Sequence, residues 1–315
     1  MPQPKVPDDV FVRDFEALGA RKFATKHGMR ERDVYSRRVR LENKLKRQLT
    51  PPPDKRNTRR NVAHPQRIDV NIKDGIVLVG SDAHYWPGDP STAHRAFVKF
   101  CKEMNPATVI MNGDVMDGAR ISRFPPIGWE TQPTVAEEVG AAQGRMREIT
   151  DATPVASHIW PLGNHDGRFE TRLATVAPEF AGVHGVHLKD HFPDWDACWA
   201  VWINDNVVVK HRYKGGDHAT WNNVIKAGKT MVTGHLHSLQ SRPFTDYNGT
   251  RWGVDTGTLA DPYGKQFVDY SEDNPKNHRS GFVVLTFVDG ELLDPETVRV
   301  WDDKRVVFRG ELIDV

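Results

Sequence analysis

Cysteine is scarce in this chain. Two residues in 315, Cys101 and Cys198, are too few for a disulfide framework, which fits a reducing compartment and two thiols buried as apolar side chains. Long hydrophobic runs are absent as well. Nothing approaches the roughly 20 apolar residues that cross a bilayer, and no apolar segment opens the chain. A membrane span and a secretory leader are therefore not expected, and the protein reads as soluble and cytoplasmic. Net charge is almost missing too, at +1, but only by cancellation. From Met1 to Arg67 there are 18 Lys and Arg against 8 Asp and Glu, and the remainder holds 25 against 34. A basic arm on an acidic body points to nucleic acid, DNA above all, as partner.

Composition divides the chain in three. Residues 1–48 have few helix breakers and read as a small basic helical region. Residues 49–67, "LTPPPDKRNTRRNVAHPQR", are Pro-rich and basic, and read as a linker. Residues 68–315 alternate apolar runs with amphipathic segments. "GIVLVGSD" and "ATVIMNGD" are β-rich, and "PSTAHRAFVKFCKEM" between them has helical spacing at Ala93, Phe97, Phe100 and Met104, with Ser91 or Thr92 as N-cap. A strand–helix–strand unit makes its two strands parallel neighbours. A helix around Ala136–Thr150 precedes the strand that ends in "IWPLGNHD". "CWAVWINDNVVVKH" reads as two antiparallel strands joined at Asn-Asp-Asn. The class is α/β, and no internal repeat is present.

Polar residues collect at the strand ends. Asp82 and His84 follow the first strand. Asp114 follows the second, with Asp117 three residues on. Asn164, His165 and Asp166 follow the third, His211 another, and His235 and His237 close "MVTGHLH". The carboxyl edge of strands is where open α/β sheets place their sites, and glycines beside these residues suit close backbone approach. His235 and His237, at i and i+2, would point the same way on extended backbone and offer two nitrogens to one pocket.

The ordered set D-x-H, G-D-x-x-D, G-N-H-D, H, G-H-x-H, running from Asp82 to His237, resembles the calcineurin-like metallophosphoesterase superfamily. The resemblance implies an αββα sandwich of two sheets extending to Val315, with helices outside. It implies a dinuclear centre in which Asp82, His84 and His237 hold one metal, Asn164, His211 and His235 the other, and Asp114 bridges both. On that reading the histidines of "GHLH" serve two metals, one each. It also implies attack on a phosphodiester by a hydroxide bridging two cations about 3.5–4 Å apart. Aspartate, imidazole and an amide oxygen suit transition metals, manganese first, with iron, nickel or zinc as alternatives. His165 would stay off the metals and protonate the leaving oxygen or stabilise the phosphoryl oxygens. Asp166 would accept the other N–H of His165 and fix its tautomer, and Asp117 would stand behind the ligands.

Softer candidates surround this set. Arg120 and Arg123, in "GARISRFPPIGW", and Arg168 are placed to meet phosphates, and Phe124 or Trp129 to stack a base. Tyr213, Lys214 and His218 flank His211. In the N-terminal region, Ala24, Gly28 and Val34 are spaced as in the helix-turn-helix pattern. The second helix would carry Arg30, Arg32, Arg37, Arg38 and Arg40 toward nucleic acid. The apolar position usual near Arg37 is missing.

Three functions remain open. The first is a metal-dependent DNA nuclease, similar to phage or prophage phosphoesterases grouped with double-strand-break repair nucleases. At 315 residues the chain is not expected to hold the capping domain and partner-binding tail of full-length repair nucleases, so processive end resection with an ATPase is not expected of it. The second is a small-substrate phosphoesterase, either a cyclic-nucleotide phosphodiesterase or a phosphomonoesterase. The third is a non-catalytic DNA-binding protein with a vestigial site.

Overall fold

The computed structural model describes residues 6–49, 64–124, 126, 129–267 and 276–315. The chain forms two compact units, Met1–Val62 and Ala63–Val315. Most of the linker expected at 49–67 lies outside the described residues.

The first unit is helical. α1 (Asp8–Lys26) breaks at Gly19, whose φ of 71° and ψ of 167° interrupt the helix, and α2 (Glu31–Leu45) follows a short turn. Gly28 takes a φ of 61° in that turn, a left-handed value that glycine adopts without a Cβ clash. Phe11, Phe15, Phe23, Ala24, Val34 and Leu41 form the core, with Phe11 and Phe23 ring centroids 4.6 Å apart. Asp14 is buried beneath them and accepts hydrogen bonds from Lys26 and His27.

Two arginines expected on a nucleic-acid face are used internally instead. Arg37 lies 4.8 Å over the Phe11 ring and bonds Asp8 and the Val6 carbonyl. Arg38 lies 5.5 Å from the Phe15 ring and pairs with Glu42 at 2.8 Å. Their long apolar stems cover the aromatic core where an aliphatic residue was expected. Arg30 is also tied down, to Asp33 at 2.8 Å.

The second unit has two sheets among the described residues. The larger has nine strands in the order β15 (Glu311–Asp314), β14 (Arg305–Phe308), β13 (Glu296–Asp302), β11 (Gly281–Val288), β2 (Gly75–Gly80), β3 (Thr108–Met111), β4 (Ser157–Pro161) and β5 (Asp196–Cys198), with β12 (Glu291–Leu292) paired on β11. The smaller has six, in the order β1 (Ile68–Val70), β6 (Val201–Ile203), β7 (Val207–Val209), β8 (Thr230–Thr233), β10 (Gly249–Asp255) and β9 (Gln240–Asp246). β2, β3 and β4 are parallel neighbours, as are β7 and β8, while β6 and β7 form the expected antiparallel pair.

Why the sheets stack follows from the period-2 alternation of strands buried on both faces. In β2, Val77 and Val79 face the smaller sheet while Leu78 faces the helices; in β11, Val283, Leu285 and Phe287 oppose Phe282 and Val284 in the same way. α3 (Thr92–Met104), N-capped by Ser91, and α4 (Val135–Ala152), closed by a Thr134–Glu137 capping box, cover the outer face of the larger sheet. α6 (Ala219–Ala227) covers the smaller. The layers are α/β/β/α. Cys101 and Cys198 are buried in the two cores, and burial pushes both thiols up to about 12. Among the described residues, no helix is long and apolar enough to cross a membrane.

Because the N-terminal unit rests on so few side chains, Phe11→Ala is expected to cost about 3–5 kcal/mol and to unfold it without disturbing the sandwich. Hydrogen exchange checks this: amides of 6–49 should lose protection while those of β2, β3 and β11 keep it.

Candidate metal centre

Each strand of the inner layer hands over its polar residues where the regular pairing stops. Asp82 and His84 follow β2, Asp114 and Asp117 follow β3, and Asn164 and His165 follow β4, all from the larger sheet. His211 follows β7, and His235 and His237 follow β8, from the smaller one. The loops are tied edge to edge: Asp82 N–H donates to the Gly113 carbonyl at 2.9 Å, His84 N–H to the Asp114 carbonyl at 3.0 Å, and Gly234 N–H to the His211 carbonyl at 2.9 Å.

The backbone at these positions is strained. Asp82, His84, Asp114, His235 and His237 have φ of 50°, 41°, 50°, 73° and 55°, all left-handed. Such conformations cost about 1–3 kcal/mol each and collect where function over-determines the geometry. They also overturn the extended reading of "GHLH". His235 turns toward Asp114 and His211, whereas His237 turns toward Asp82 and His84, because two left-handed residues swing alternate side chains apart. The glycines before the candidate ligands are there for room. A Cβ on Gly163 would stand 2.1 Å from Asp114 Oδ1, and one on Gly234 2.4 Å from Asp82 Oδ2.

Three clusters bring ligand atoms within 4.8 Å of one another: Asp82, His84 and His237; His84, Asp114 and His165; and Asp114, His211 and His235. Asp114 and His84 each belong to two of them. The donor atoms fit cations. His84 Nε2, His211 Nε2, His237 Nδ1 and Asn164 Oδ1 are buried without a hydrogen-bond partner, an expensive state for polar atoms unless something else fills it. His211 Nε2 lies 3.1 Å from Asp114 Oδ2, off hydrogen-bonding geometry. The opposite nitrogens are spoken for: His211 Nδ1–H donates to the Asn112 carbonyl at 2.8 Å, and His84 Nδ1 meets Asp117 at 3.0 Å. A ring fixed at one nitrogen presents the other as a lone pair, as metal-ligating histidines do.

The electrostatics ask for positive charge. Burial alone would raise Asp114, but His211 beside it holds the carboxyl well below the usual range. Burial opposes charge on His211, yet Asp114 and Asp82 outweigh it and push the imidazole up to about 10. In His84 burial outweighs the neighbouring Asp117 and lowers the ring from its ordinary value.

His165 and its neighbours differ from expectation. Asp166 does not touch the His165 ring. Its carboxylate is buried and takes the backbone N–H groups of Asp114, Val115 and Gly163 at 2.9, 2.9 and 2.8 Å, with the Trp160 indole N–H at 3.1 Å. It locks the β3 and β4 loops together; at the start of α5 (Asp166–Val176) its side chain turns inward, away from the cleft. The orienting residue is Asp117, whose carbonyl accepts from His165 Nδ1–H at 2.8 Å and whose carboxylate lies 3.1 Å away. Burial works against charge on His165, but Asp117 and Asp114 raise it above its ordinary value. Arg168 donates to the Asp117 carbonyl at 2.8 Å and places Nη2 3.1 Å from His165 Nε2.

A cleft of about 650 Å³ opens over the site, with Arg168, Phe124, Phe267 and His278 among its walls. Arg120 is drawn aside to the Gln132 carbonyl, and Arg123 lies 4.9 Å over the Phe124 ring; neither lines the cleft. Trp129, Tyr213, Lys214 and His218 do not line it either. Phe267 and His278 escaped the sequence reading. Phe267 packs 5.1 Å from His84 and His278 4.6 Å from His237, ring centre to ring centre, but neither follows a motif or a strand end.

No family model and no curated protein matches this chain. Among solved structures, zinc-complexed Vps29 from Entamoeba histolytica aligns at a TM-score of 0.38 and 15% identity, over 76% of this chain and 98% of that one. A dimetal phosphatase from Danio rerio aligns at 0.38 and 10%, over 75% and 99%. YfcE, a phosphoesterase from E. coli, aligns at 0.33 and 13%, over 70% and 97%. Likenesses this weak assign neither family nor activity.

Gly163→Ala is expected to displace Asp114 and to weaken Mn²⁺ binding at least about tenfold, a loss of about 1.4 kcal/mol. Gly167→Ala, where an added Cβ meets nothing within 4 Å, serves as the control and should bind as wild type. Titration calorimetry of both variants decides the point.

Proposed function

We propose that this chain is a dinuclear metal-dependent phosphodiester hydrolase acting on nucleic acid, a DNA nuclease. The observation that carries the reading is Asp114, a buried carboxylate shared by a cluster with His211 and His235 and a cluster with His84 and His165. Asp82, His84 and His237 would hold one ion, and Asn164, His211 and His235 the other, with Asp114 between them. Bound there, two cations would neutralise phosphoryl charge and supply a nucleophile at neutral pH.

The remaining chemistry belongs to the chain's own residues. Asp117 holds His165 by Nδ1, which aims Nε2 into the cleft, 3.9 Å from Asp114 Oδ2. Protonated Nε2 donates to the leaving oxygen, a step worth roughly 10²–10⁴-fold. Arg168 Nη2 and a protonated His165 Nε2 are both donors at 3.1 Å. Protonation of Nε2 replaces the Arg168-to-His165 hydrogen bond by two adjacent donors on one side of the cleft, both able to turn to a phosphoryl oxygen. Support for nucleic acid as substrate comes from the basic arm, with 18 cationic side chains before Ile68.

A second reading, a small-substrate phosphoesterase, is favoured by the partial enclosure of the cleft between Phe124, Phe267 and His278. A substrate panel with added Mn²⁺ separates the two: single- and double-stranded DNA, RNA, bis-p-nitrophenyl phosphate, p-nitrophenyl phosphate and cyclic nucleotides. Turnover of cyclic nucleotides or monoesters without DNA cleavage would replace the nuclease by the second reading.

Elemental analysis of wild-type protein should find or load two transition-metal ions per chain, and Asp114→Asn should weaken both together. One ion at most in the wild type refutes the dinuclear arrangement.

His165→Asn should keep both ions and slow DNA cleavage by about 100-fold or more. The loss should shrink for bis-p-nitrophenyl phosphate, whose leaving group needs no proton. Equal losses on both substrates would assign His165 to the phosphoryl oxygens, and loss of metal would make it a ligand.

A further inference from the structure

The N-terminal unit carries a surface that the hydrolytic site does not explain. On the helical wheel of α2, the buried residues Val34 and Leu41 lie on one side. Directly opposite, at about 100° per residue, fall Arg32, Ser36, Val39 and Asn43, flanked by Tyr35 and Arg40. All six are exposed, and two are apolar: Tyr35 at 48% and Val39 at 55%. Apolar side chains centred on a cationic, solvent-facing helix do nothing for the core of this unit, which is closed on the other side.

Charge sorting in the unit sharpens the point. Asp8, Asp14, Glu16, Asp33 and Glu42 are each held in an ion pair within the unit. Arg37 and Arg38 are spent on the core flank. Arg40, by contrast, makes only a 3.3 Å bond to the Ser36 carbonyl, and Arg32 only a 3.9 Å approach to Asp33. Among the described residues, Arg21, Lys22 and Lys46 have no ion-pair partner. Internal pairing thus consumes most of the acidic groups and leaves a positive surplus, which complements a polyanion.

We propose that this face of α2 enters the major groove of duplex DNA. Arg32 and Arg40 would meet phosphates or guanine edges; Ser36 and Asn43 would hydrogen-bond bases; Tyr35 and Val39 would contact thymine methyls. The fit is dimensional as well as electrostatic. A helix is about 10–12 Å across and the major groove about 12 Å wide. The 15 residues of α2 extend about 22 Å at about 1.5 Å per residue. The deep, narrow major groove of an RNA duplex would not admit it. The proposal shares with the hydrolase reading the choice of nucleic acid as partner, but it needs no catalysis.

The test uses the full chain in EDTA, so that binding is read without cleavage, with a fluorescein-labelled random 30-base-pair duplex followed by anisotropy from low to moderate salt. Arg32→Ala/Arg40→Ala should bind at least tenfold more weakly, and its log–log salt slope should fall by up to about 1.8, at about 0.9 per lost phosphate contact. Thermal unfolding should be unchanged, because neither side chain is buried. Repeated selection from a random duplex pool should return a consensus with the wild type and none with Tyr35→Ala/Val39→Ala. Equal affinity and slope for wild type and Arg32→Ala/Arg40→Ala overturns the proposal. So does equal competition by an RNA duplex. So does a Tyr35→Ala/Val39→Ala variant that turns a dimer into a monomer with DNA binding intact, which would make the face an interface between copies. Turnover of bis-p-nitrophenyl phosphate with Mn²⁺ is measured on the same proteins. DNA binding without any turnover sinks the hydrolase reading and leaves the groove-docking face standing; turnover without DNA binding does the reverse.

Discussion

Two carboxylates, Asp82 and Asp114, are buried where the edges of two sheets meet, and their charge has to be answered locally. An ionised group taken out of water costs several kcal/mol even after relaxation. Part of the answer is in the chain. His235 N–H and the His237 ring meet Asp82, and His165 N–H and His211 meet Asp114. The rest is a demand for cations, beside which the unpaired His84 Nε2, His211 Nε2 and Asn164 Oδ1 are buried. The Cβ-free approaches at Gly163 and Gly234, the left-handed candidate ligands and the carboxylate of Asp166 beneath the loops all hold those two charges in place.

The layering, and the gathering of Asp, Asn and His side chains at one sheet edge, were legible because they depend on short-range rules. Apolar runs such as "GIVLVG" announce strands buried on both faces, and polar residues grouped just past such runs announce a sheet edge with a task. What was not legible depends on direction. Nothing in "GNHD" tells which of Asp117 and Asp166 reaches the His165 ring. That follows from the inward turn at the start of α5, which commits Asp166 to backbone N–H groups of the neighbouring loop. The spacing of "GHLH" was read on extended backbone, and the left-handed φ of both histidines reversed it. Phe267 and His278 reach the cleft from a segment without periodicity, so no local signal marks them.

The N-terminal region shows the same limit on a smaller scale. Five arginines read as one basic stripe in the sequence. In the folded unit they divide by wheel angle: Arg37 and Arg38 flank the buried side and cover Phe11 and Phe15, while Arg32 and Arg40 face away from it. A count of charges could not make that division, because it depends on where the aromatic core lies. The absent apolar residue near Arg37 is explained by the same packing, since an arginine stem over a phenylalanine ring covers much the same area.

The left-handed backbone at five of the candidate ligands narrows how this centre can drift over generations. Aspartate, asparagine and histidine are the non-glycine residues that most readily occupy that region. A mutation to glutamate or cysteine at Asp82, His84, Asp114, His235 or His237 would meet the unfavourable backbone before its donor atom reached a metal. The backbone at these five positions therefore favours short carboxylate, amide and imidazole groups over longer acids or thiols.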